Sequence, residues 1–126
     1  MADRSILIVD DDEALRFLLE GELRPQGFDV TSAGDGDEAI ELLRKKNESG
    51  ERFTAVLLDI SMPKVSGFEV LKFVKETSPE TRVIMVTAYA DVENAITSMR
   101  LGASEIIAKP YDLSELFVTI DRALEK

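Results

Sequence analysis

The chain has 126 residues, of which 44% are apolar and 32% charged, a composition typical of one globular domain rather than a disordered segment. It contains no cysteine and no histidine, which excludes disulfides, thiolate metal sites, histidine acid–base catalysis and a phosphohistidine carrier. The net charge of −10 disfavours nucleic acid as a direct partner, because phosphate contacts need clustered lysine and arginine.

Five short apolar runs alternate with amphipathic segments along the chain. The runs, predicted as strands, lie at about 5–9, 28–32, 54–59, 82–87 and 105–108. Helix caps are expected at Asp11 or Asp12, at Asp35 or Asp37, near Ser66, at Asp91, and at Asp112 or Ser114. This alternation predicts an α/β fold, in which right-handed crossovers place helices on both faces of a parallel sheet. We expect residues 1–126 to form one domain without a membrane span, since no apolar run approaches the roughly 20 residues needed.

Two helices have features that the apolar spacing alone does not explain. The fourth is predicted from Val92, Ala95, Ile96 and Met99, and it is short and weakly amphipathic, so we expect it to be among the more mobile elements. On the first helix Phe17 lies off the apolar stripe, which makes it either an edge-packing residue or an exposed contact residue.

Polar side chains stand where four of the predicted strands end. Asp10 and Asp11 follow the first strand, Asp59 the third and Lys109 the fifth, and Thr87 ends the fourth. Because the carboxyl ends of parallel strands lie at one edge of a sheet, we expect these side chains to meet. Three carboxylates together repel one another; Lys109 offsets one charge, and a divalent cation would offset the rest. Oxygen ligands favour a hard ion, and Mg²⁺ is the candidate.

Asp59 is the candidate nucleophile of this site. An unperturbed aspartate has a pKa of about 3.9, so its carboxylate is ionised at neutral pH without a general base, and attack on phosphorus gives an acyl phosphate. Asp11 would hold the metal, with Asp10 binding it directly or through water. Lys109 and Thr87 would contact the phosphoryl oxygens, where charge builds up.

Each of these residues also has a purely structural interpretation. An aspartate pair after a strand is often a helix cap, and a lone aspartate is often a turn residue. The threonine hydroxyl could be satisfied internally, and the lysine could be a solvated surface charge. The recurrence of polar groups at successive strand ends of one sheet is what favours a site.

Six short motifs cover the strand ends and the turns that follow them. They are Ile8-Val9-Asp10-Asp11-Asp12, Leu58-Asp59-Ile60-Ser61-Met62-Pro63, Val65-Ser66-Gly67, Val86-Thr87-Ala88, Gly102-Ala103 and Lys109-Pro110. Together they closely resemble the receiver domain of two-component response regulators, of the chemotaxis-regulator-like kind, over essentially the whole chain. The resemblance implies a flavodoxin-like, doubly wound five-stranded sheet in the order 2-1-3-4-5, with the site at its switch point. It also implies a cis peptide between Lys109 and Pro110.

The resemblance implies roles for the acidic residues. Asp59 looks like the phosphorylated aspartate, and Asp10 and Asp11 look like the acidic pair that supports Mg²⁺. The backbone carbonyl of Ser61 would be a further metal ligand.

The resemblance also implies a set of switch residues. Thr87 looks like the switch hydroxyl, Ala88 like the small residue that admits the phosphoryl group, and Lys109 like the lysine of the family motif. Ile106 stands where the family often has tyrosine or phenylalanine, so an aromatic flip at that position cannot be the output mechanism. Tyr89 is an alternative aromatic reporter two residues after Thr87.

The implied function is a phosphorylation-dependent signalling switch, a regulator rather than an enzyme. A sensor histidine kinase or a histidine phosphotransfer protein would supply the phosphoryl group. A shift around residues 87–111 would then change binding to a downstream protein target or a fused output domain. We also consider a homodimer through the last two helices, and the family implies a cytoplasmic location. A complete single-domain regulator and an excised receiver both stay open.

Three other functions compete with this one. A flavodoxin-like cofactor module fits the fold, but Asp10-Asp11-Asp12 would repel a flavin phosphate. An aspartate-nucleophile phosphatase usually has a second acid two residues after the nucleophile, where Ser61 stands. A protein-interaction domain that is never phosphorylated would not need the site residues that are present.

Overall fold

One five-stranded sheet forms the centre of the computed structural model, which describes residues 4–62, 65–88 and 90–125. The strands are β1 (Ser5–Val9), β2 (Asp29–Ala33), β3 (Ala55–Leu58), β4 (Arg82–Thr87) and β5 (Glu105–Ala108). All four neighbouring pairs are parallel, in the order β2-β1-β3-β4-β5. The predicted flavodoxin-like fold class is therefore confirmed.

Four α-helices connect the strands and a fifth follows β5, and each is capped by a residue whose side chain accepts a hydrogen bond from the backbone N–H three residues later. The helices are α1 (Glu13–Leu23), α2 (Gly36–Glu48), α3 (Gly67–Thr77), α4 (Val92–Arg100) and α5 (Leu113–Leu124). Their caps are Asp12, Asp35, Ser66, Asp91 and Asp112. Within the described part of the chain, no helix is both long enough and apolar enough to cross a membrane.

Both faces of the sheet are buried, which explains why the strands are almost continuous apolar runs. Along β1, Leu7 and Val9 point into one core and Ile6 and Ile8 into the other, as alternation along a strand requires. The first core includes Ala39 and Leu43 of α2 and Val70, Leu71 and Val74 of α3. The second includes Leu19 and Leu23 of α1 and Leu116, Ile120 and Ala123 of α5.

The apolar residues that predicted α4 do not face a core. Val92 is 75% exposed, and Ile96 and Met99 are each 48% exposed. The fully buried residue of this helix is Ser98, whose hydroxyl donates to a backbone carbonyl one turn earlier at 2.8 Å. Apolar spacing thus located the helix but not its buried side, because periodicity does not show which stripe the sheet covers. The greater mobility of α4 stays a prediction.

Phe17 on α1 is 79% exposed, so it is not an edge-packing residue. Leu18, the next residue of the same helix, is also exposed. Leu19 and Leu23 are the buried residues of α1, and they pack into the second core.

Candidate functional site

The ends of β1, β3 and β5 bring two carboxylates and an ammonium group together. Asp10 directly follows β1, Asp59 follows β3 and Lys109 follows β5, and the register pairs Val9 with Leu58 at the ends of the first two strands. Lys109 Nζ donates to Asp10 Oδ2 at 2.6 Å and to Asp59 Oδ2 at 3.3 Å. Both aspartates are buried, and the lysine is half-buried. A cation therefore bridges two carboxylates that lie 49 positions apart in the sequence.

A third carboxylate completes an acidic cluster. One oxygen from each of Asp10, Asp11 and Asp59 lies within 4.8 Å of the other two. Neither Asp10 nor Asp11 caps α1. The cap is Asp12, whose Oδ1 accepts from the Leu15 amide at 3.1 Å. Asp11 is exposed, so its carboxylate remains available to a ligand from solvent.

The start of α3 packs directly against the residue that follows β3. The Gly67 amide donates to the Ile60 carbonyl at 2.9 Å, and a Cβ on Gly67 would lie 2.1 Å from the Asp59 carbonyl oxygen. Ser66 and Glu69 form a capping box, in which each side chain accepts from the other's backbone amide. Glycine is required here because nothing larger than hydrogen fits between the helix and the strand end.

Asp10 is held at each of its polar groups. Its amide donates to the Ala33 carbonyl at 3.2 Å, Oδ1 accepts from the Asp12 amide at 2.9 Å, and Oδ2 accepts from Lys109. Its carbonyl oxygen accepts from Arg16 Nη1 at 2.7 Å. The role of Arg16 was not predicted from the sequence, where the available signal was a lone cation on α1 shortly after the acidic run.

Burial and charge act in opposite directions on the bridged pair. Burial raises the pKa of Asp59 and the neighbouring Asp10 adds to that rise, although the Lys109 ammonium works against it. Burial lowers the pKa of Lys109, but the hydrogen bond and charge of Asp10, together with Asp59, outweigh it and the net pKa is raised. The lysine therefore keeps its proton, and Asp59 holds a proton more readily than an exposed aspartate would.

The donor set fits a hard divalent cation. Its three carboxylates face one ammonium group, and the pKa of Asp59 stays raised, mainly by burial, despite the Lys109 charge beside it. A cation that accepts a few carboxylates and several waters would supply the missing charge. Ser61 is exposed beside the cluster, and its amide donates to Asp59 Oδ1 at 3.2 Å. Its carbonyl as a metal ligand stays a prediction.

The residues predicted as a switch lie close to Lys109 where the structure describes them. Thr87 is fully buried, and its carbonyl accepts from the Lys109 amide at 2.9 Å. Ala88 is exposed and, with Lys109, lines an apolar cavity of about 430 Å³. Ile106 is half-buried against the first core. Tyr89 lies outside the described residues. The switching roles of all four stay predictions.

Tyr111 is an aromatic residue beside Lys109 that was not predicted from the sequence. It follows the cis peptide between Lys109 and Pro110. Its hydroxyl is buried and has no hydrogen-bond partner among the residues that the structure describes. Burial raises the Tyr111 pKa, the Lys109 charge opposes this, and the charge of Asp10 adds to it. Its place two residues after the lysine was the only signal of its position.

The variant Asp59→Asn is expected to become more stable relative to the wild type as the pH rises. Because burial raises the Asp59 pKa above the ordinary 3.8, the folded protein binds this proton more tightly than the unfolded chain does. The contribution of Asp59 to the stability of the fold therefore falls as the pH rises from 3.8 to the raised pKa of the folded protein. Asparagine does not ionise, so the variant has no such loss. Thermal unfolding of both proteins in EDTA, from about pH 4 to 8, measures the difference. A difference that shrinks towards high pH would contradict the expectation.

Asp112→Asn provides a control of opposite sign. The Ser114 hydroxyl and the Glu115 amide lower the Asp112 pKa. This carboxylate therefore stabilises the folded state once the pH exceeds the pKa that Asp112 has in the unfolded chain. Its asparagine variant should therefore become less stable relative to the wild type as the pH rises. The Asp112 effect develops mostly below the ordinary pKa of 3.8, so the pH series is extended down to about pH 2 for this variant.

Comparison with known proteins agrees with the motifs and the fold. The profile of the response regulator receiver domain matches residues 6–121. The regulatory protein AtoC of Escherichia coli K12 is 38% identical over 120 residues, which are 95% of this chain and 25% of that protein. The chain spans from about a quarter to about half of the length of such curated relatives.

Solved structures are similar over nearly the whole chain. A CheY-like receiver domain protein of Methanospirillum hungatei JF-1 has 34% identity and a TM-score of 0.87, covering 98% of this chain and 95% of that one. A response regulator of Burkholderia pseudomallei, solved with a phosphorylated aspartic acid, a calcium ion and citrate, has 26% identity and a TM-score of 0.81, covering 98% and 75%. The chain belongs to the family of response regulator receiver domains of two-component signalling.

Proposed function

We propose that Asp59 accepts a phosphoryl group while Asp10, Asp11 and Asp59 bind Mg²⁺ beside it. The observation that carries the proposal is the bridge from Lys109 Nζ to the two buried aspartates within a three-carboxylate cluster. The Burkholderia pseudomallei relative supports it, because that protein is described with a phosphorylated aspartic acid and a calcium ion. The domain acts as a regulator, and the phosphorylation chemistry serves regulation.

In the proposed reaction an Asp59 carboxylate oxygen forms a bond to phosphorus as the P–N bond to the donor's imidazole breaks. The departing imidazole keeps the electron pair and takes a proton from solvent. Lys109 moves from the carboxylates to a phosphoryl oxygen, and the Thr87 hydroxyl donates to another. The bound cation supplies positive charge to the phosphoryl oxygens. These groups stabilise the charge that builds up during transfer.

The donor and the output follow from the composition and from the family. The chain has no histidine of its own, and we propose that a sensor histidine kinase or a histidine phosphotransfer protein supplies the phosphoryl group. We propose that the conformational change on phosphorylation occurs in residues 87–111. The Lys109 amide donates to the Thr87 carbonyl at 2.9 Å, so these two residues are coupled through the backbone. The phosphorylated form would then bind a downstream protein target or a fused output domain differently. The homodimer through α4 and α5 stays a prediction.

Intact-mass measurement after incubation with acetyl phosphate and Mg²⁺ tests the proposal. We expect one phosphoryl adduct on the wild type, and none on Asp59→Asn or when EDTA replaces Mg²⁺. Asp29→Asn is the matched control, because Asp29 is exposed at the start of β2, at the opposite edge of the sheet from the cluster. It should carry the same adduct as the wild type.

Two results would contradict the proposed function. One is an adduct that persists on Asp59→Asn, which would place the acceptor elsewhere. The other is a folded wild type that takes no phosphoryl group from acetyl phosphate or from a panel of phosphorylated histidine kinases. That second result would favour an interaction domain that operates without phosphorylation.

A further inference from the structure

We infer that Arg16 is a positioning residue that holds Asp10 in place for the divalent cation. The inference rests on the proposed function, since the cation site is part of it. Arg16 Nη1 donates to the Asp10 carbonyl oxygen at 2.7 Å, a short, charge-assisted bond. The contact is to the backbone, so the guanidinium fixes Asp10 without occupying either of its carboxylate oxygens.

The Arg16 guanidinium also lies against the turn that follows β2. A Cβ on Gly34 would be 3.2 Å from Arg16 Nη1 and 3.5 Å from its Cζ, so the bare glycine backbone leaves the space that the guanidinium needs. The Gly34 amide donates to Glu38 Oε1 at 2.8 Å, which ties this turn to the start of α2. Arg16 therefore lies between the turns after β1 and β2 and contacts both.

The arrangement opposes the repulsion within the acidic cluster. Asp10 and Asp11 share the short segment between β1 and α1 and face Asp59 across the sheet edge. Repulsion among these carboxylates favours moving that segment away from Asp59, and the Arg16 contact to the Asp10 carbonyl opposes such a movement. The Arg16 amide bonds to the Asp12 carbonyl at 3.0 Å, so the arginine is anchored in the same segment whose carbonyl it holds.

The sign of the effect separates positioning from simple charge. A positive charge near the site repels a divalent cation, so if charge alone mattered, removing Arg16 would tighten Mg²⁺ binding. If Arg16 positions Asp10, removing it weakens binding. We expect positioning to dominate, because the carbonyl contact is direct whereas the longer-range repulsion is screened by salt and water.

Isothermal titration of the metal-free protein with Mg²⁺ tests the inference. Arg16→Met should weaken binding about tenfold, as loss of a residue supporting a metal ligand typically does. Arg16→Lys keeps the charge and one donor and should restore part of the affinity. Arg52→Met is the control for net charge: Arg52 precedes β3 at the opposite edge of the sheet and has an exposed 3.5 Å ion pair with Glu80. It should bind Mg²⁺ like the wild type.

Gly34→Ala tests the same contact without altering Arg16. Its Cβ would crowd the guanidinium, so Mg²⁺ binding should weaken, but less than in Arg16→Met. In the double variant Gly34→Ala should add no further loss, because the group it crowds is gone. If Arg16→Met does not fold, Gly34→Ala still tests the inference.

Two further readouts distinguish positioning from a general loss of stability. In Arg16→Met the Mg²⁺ concentration for half-maximal phosphorylation by acetyl phosphate should rise about as much as the dissociation constant, with a smaller change in the maximal rate. Amide exchange at Asp12, whose N–H bonds to Asp10 Oδ1, should accelerate.

Different results would overturn the inference and the proposed function. A folded Arg16→Met that binds Mg²⁺ as well as the wild type, or more tightly, overturns the inference alone. A wild type that binds no Mg²⁺ overturns the proposed cation site, and the inference with it.

Discussion

Replacing Lys109 with methionine should slow the phosphorylation of Asp59 about 10²–10³-fold, the effect of removing a group that stabilises charge in a transition state. The same variant, titrated from its metal-free form, should bind Mg²⁺ more tightly than the wild type does. Lys109 Nζ lies 2.6 Å from Asp10 Oδ2 and 3.3 Å from Asp59 Oδ2, so it competes with a cation for these carboxylates. Phosphorylation rates with acetyl phosphate and titration with Mg²⁺ measure the two effects.

The opposite directions of the two effects make this prediction specific. Lys72→Met removes an exposed lysine from α3 and should change neither the rate nor the affinity. If Lys109→Met weakened Mg²⁺ binding instead, the lysine would be organising the carboxylates rather than competing for them. If it left the rate unchanged, Lys109 would have no part in the transfer.

Gly67→Ala is expected to destabilise the protein by about 3 kcal/mol or more, the upper range for an added methyl group that does not fit. The new Cβ would lie 2.1 Å from the Asp59 carbonyl oxygen and 2.7 Å from the Ile60 Cα. Both are backbone atoms, so no side-chain rotation relieves the clash and the start of α3 must shift. The free energy of unfolding in urea measures the loss.

Gly21→Ala is the matched control for the glycine substitution. Gly21 lies within α1, and a Cβ there would have nothing within 4 Å. Alanine is favoured over glycine in a helix interior, so this variant should be stabilised by up to about 1 kcal/mol. A Gly67→Ala variant as stable as the wild type would show that the strand end can move, and that Asp59 is less rigidly placed than the structure indicates.

Most of the candidate site was predictable because its residues directly follow apolar runs. Asp10, Asp59 and Lys109 each stand one position after a strand, and in a parallel sheet such positions share an edge. The prediction needed only strand type and direction, which local patterns supply. It did not distinguish Asp11 from Asp12 as the cap of α1, since both are equally suited by chemistry and differ by one position.

Arg16 and Tyr111 were missed because their partners are not implied by local pattern. The Arg16 contact depends on how α1 leans over the end of β1 and on the space left by Gly34. The burial of the Tyr111 hydroxyl depends on how the chain turns after Pro110. Neither feature follows from the spacing of apolar residues.

The sequence by itself determined the α/β alternation, the parallel sheet and the approximate start of each helix, because side-chain period and capping act within a few residues of the chain. Only the tertiary structure decided that Lys109 bridges Asp10 and Asp59, and that Gly67 touches the Asp59 carbonyl. It also decided that the apolar stripe of α4 faces outward. The physical reason is that these features depend on strand register and helix orientation, which are set when segments distant in the chain pack together.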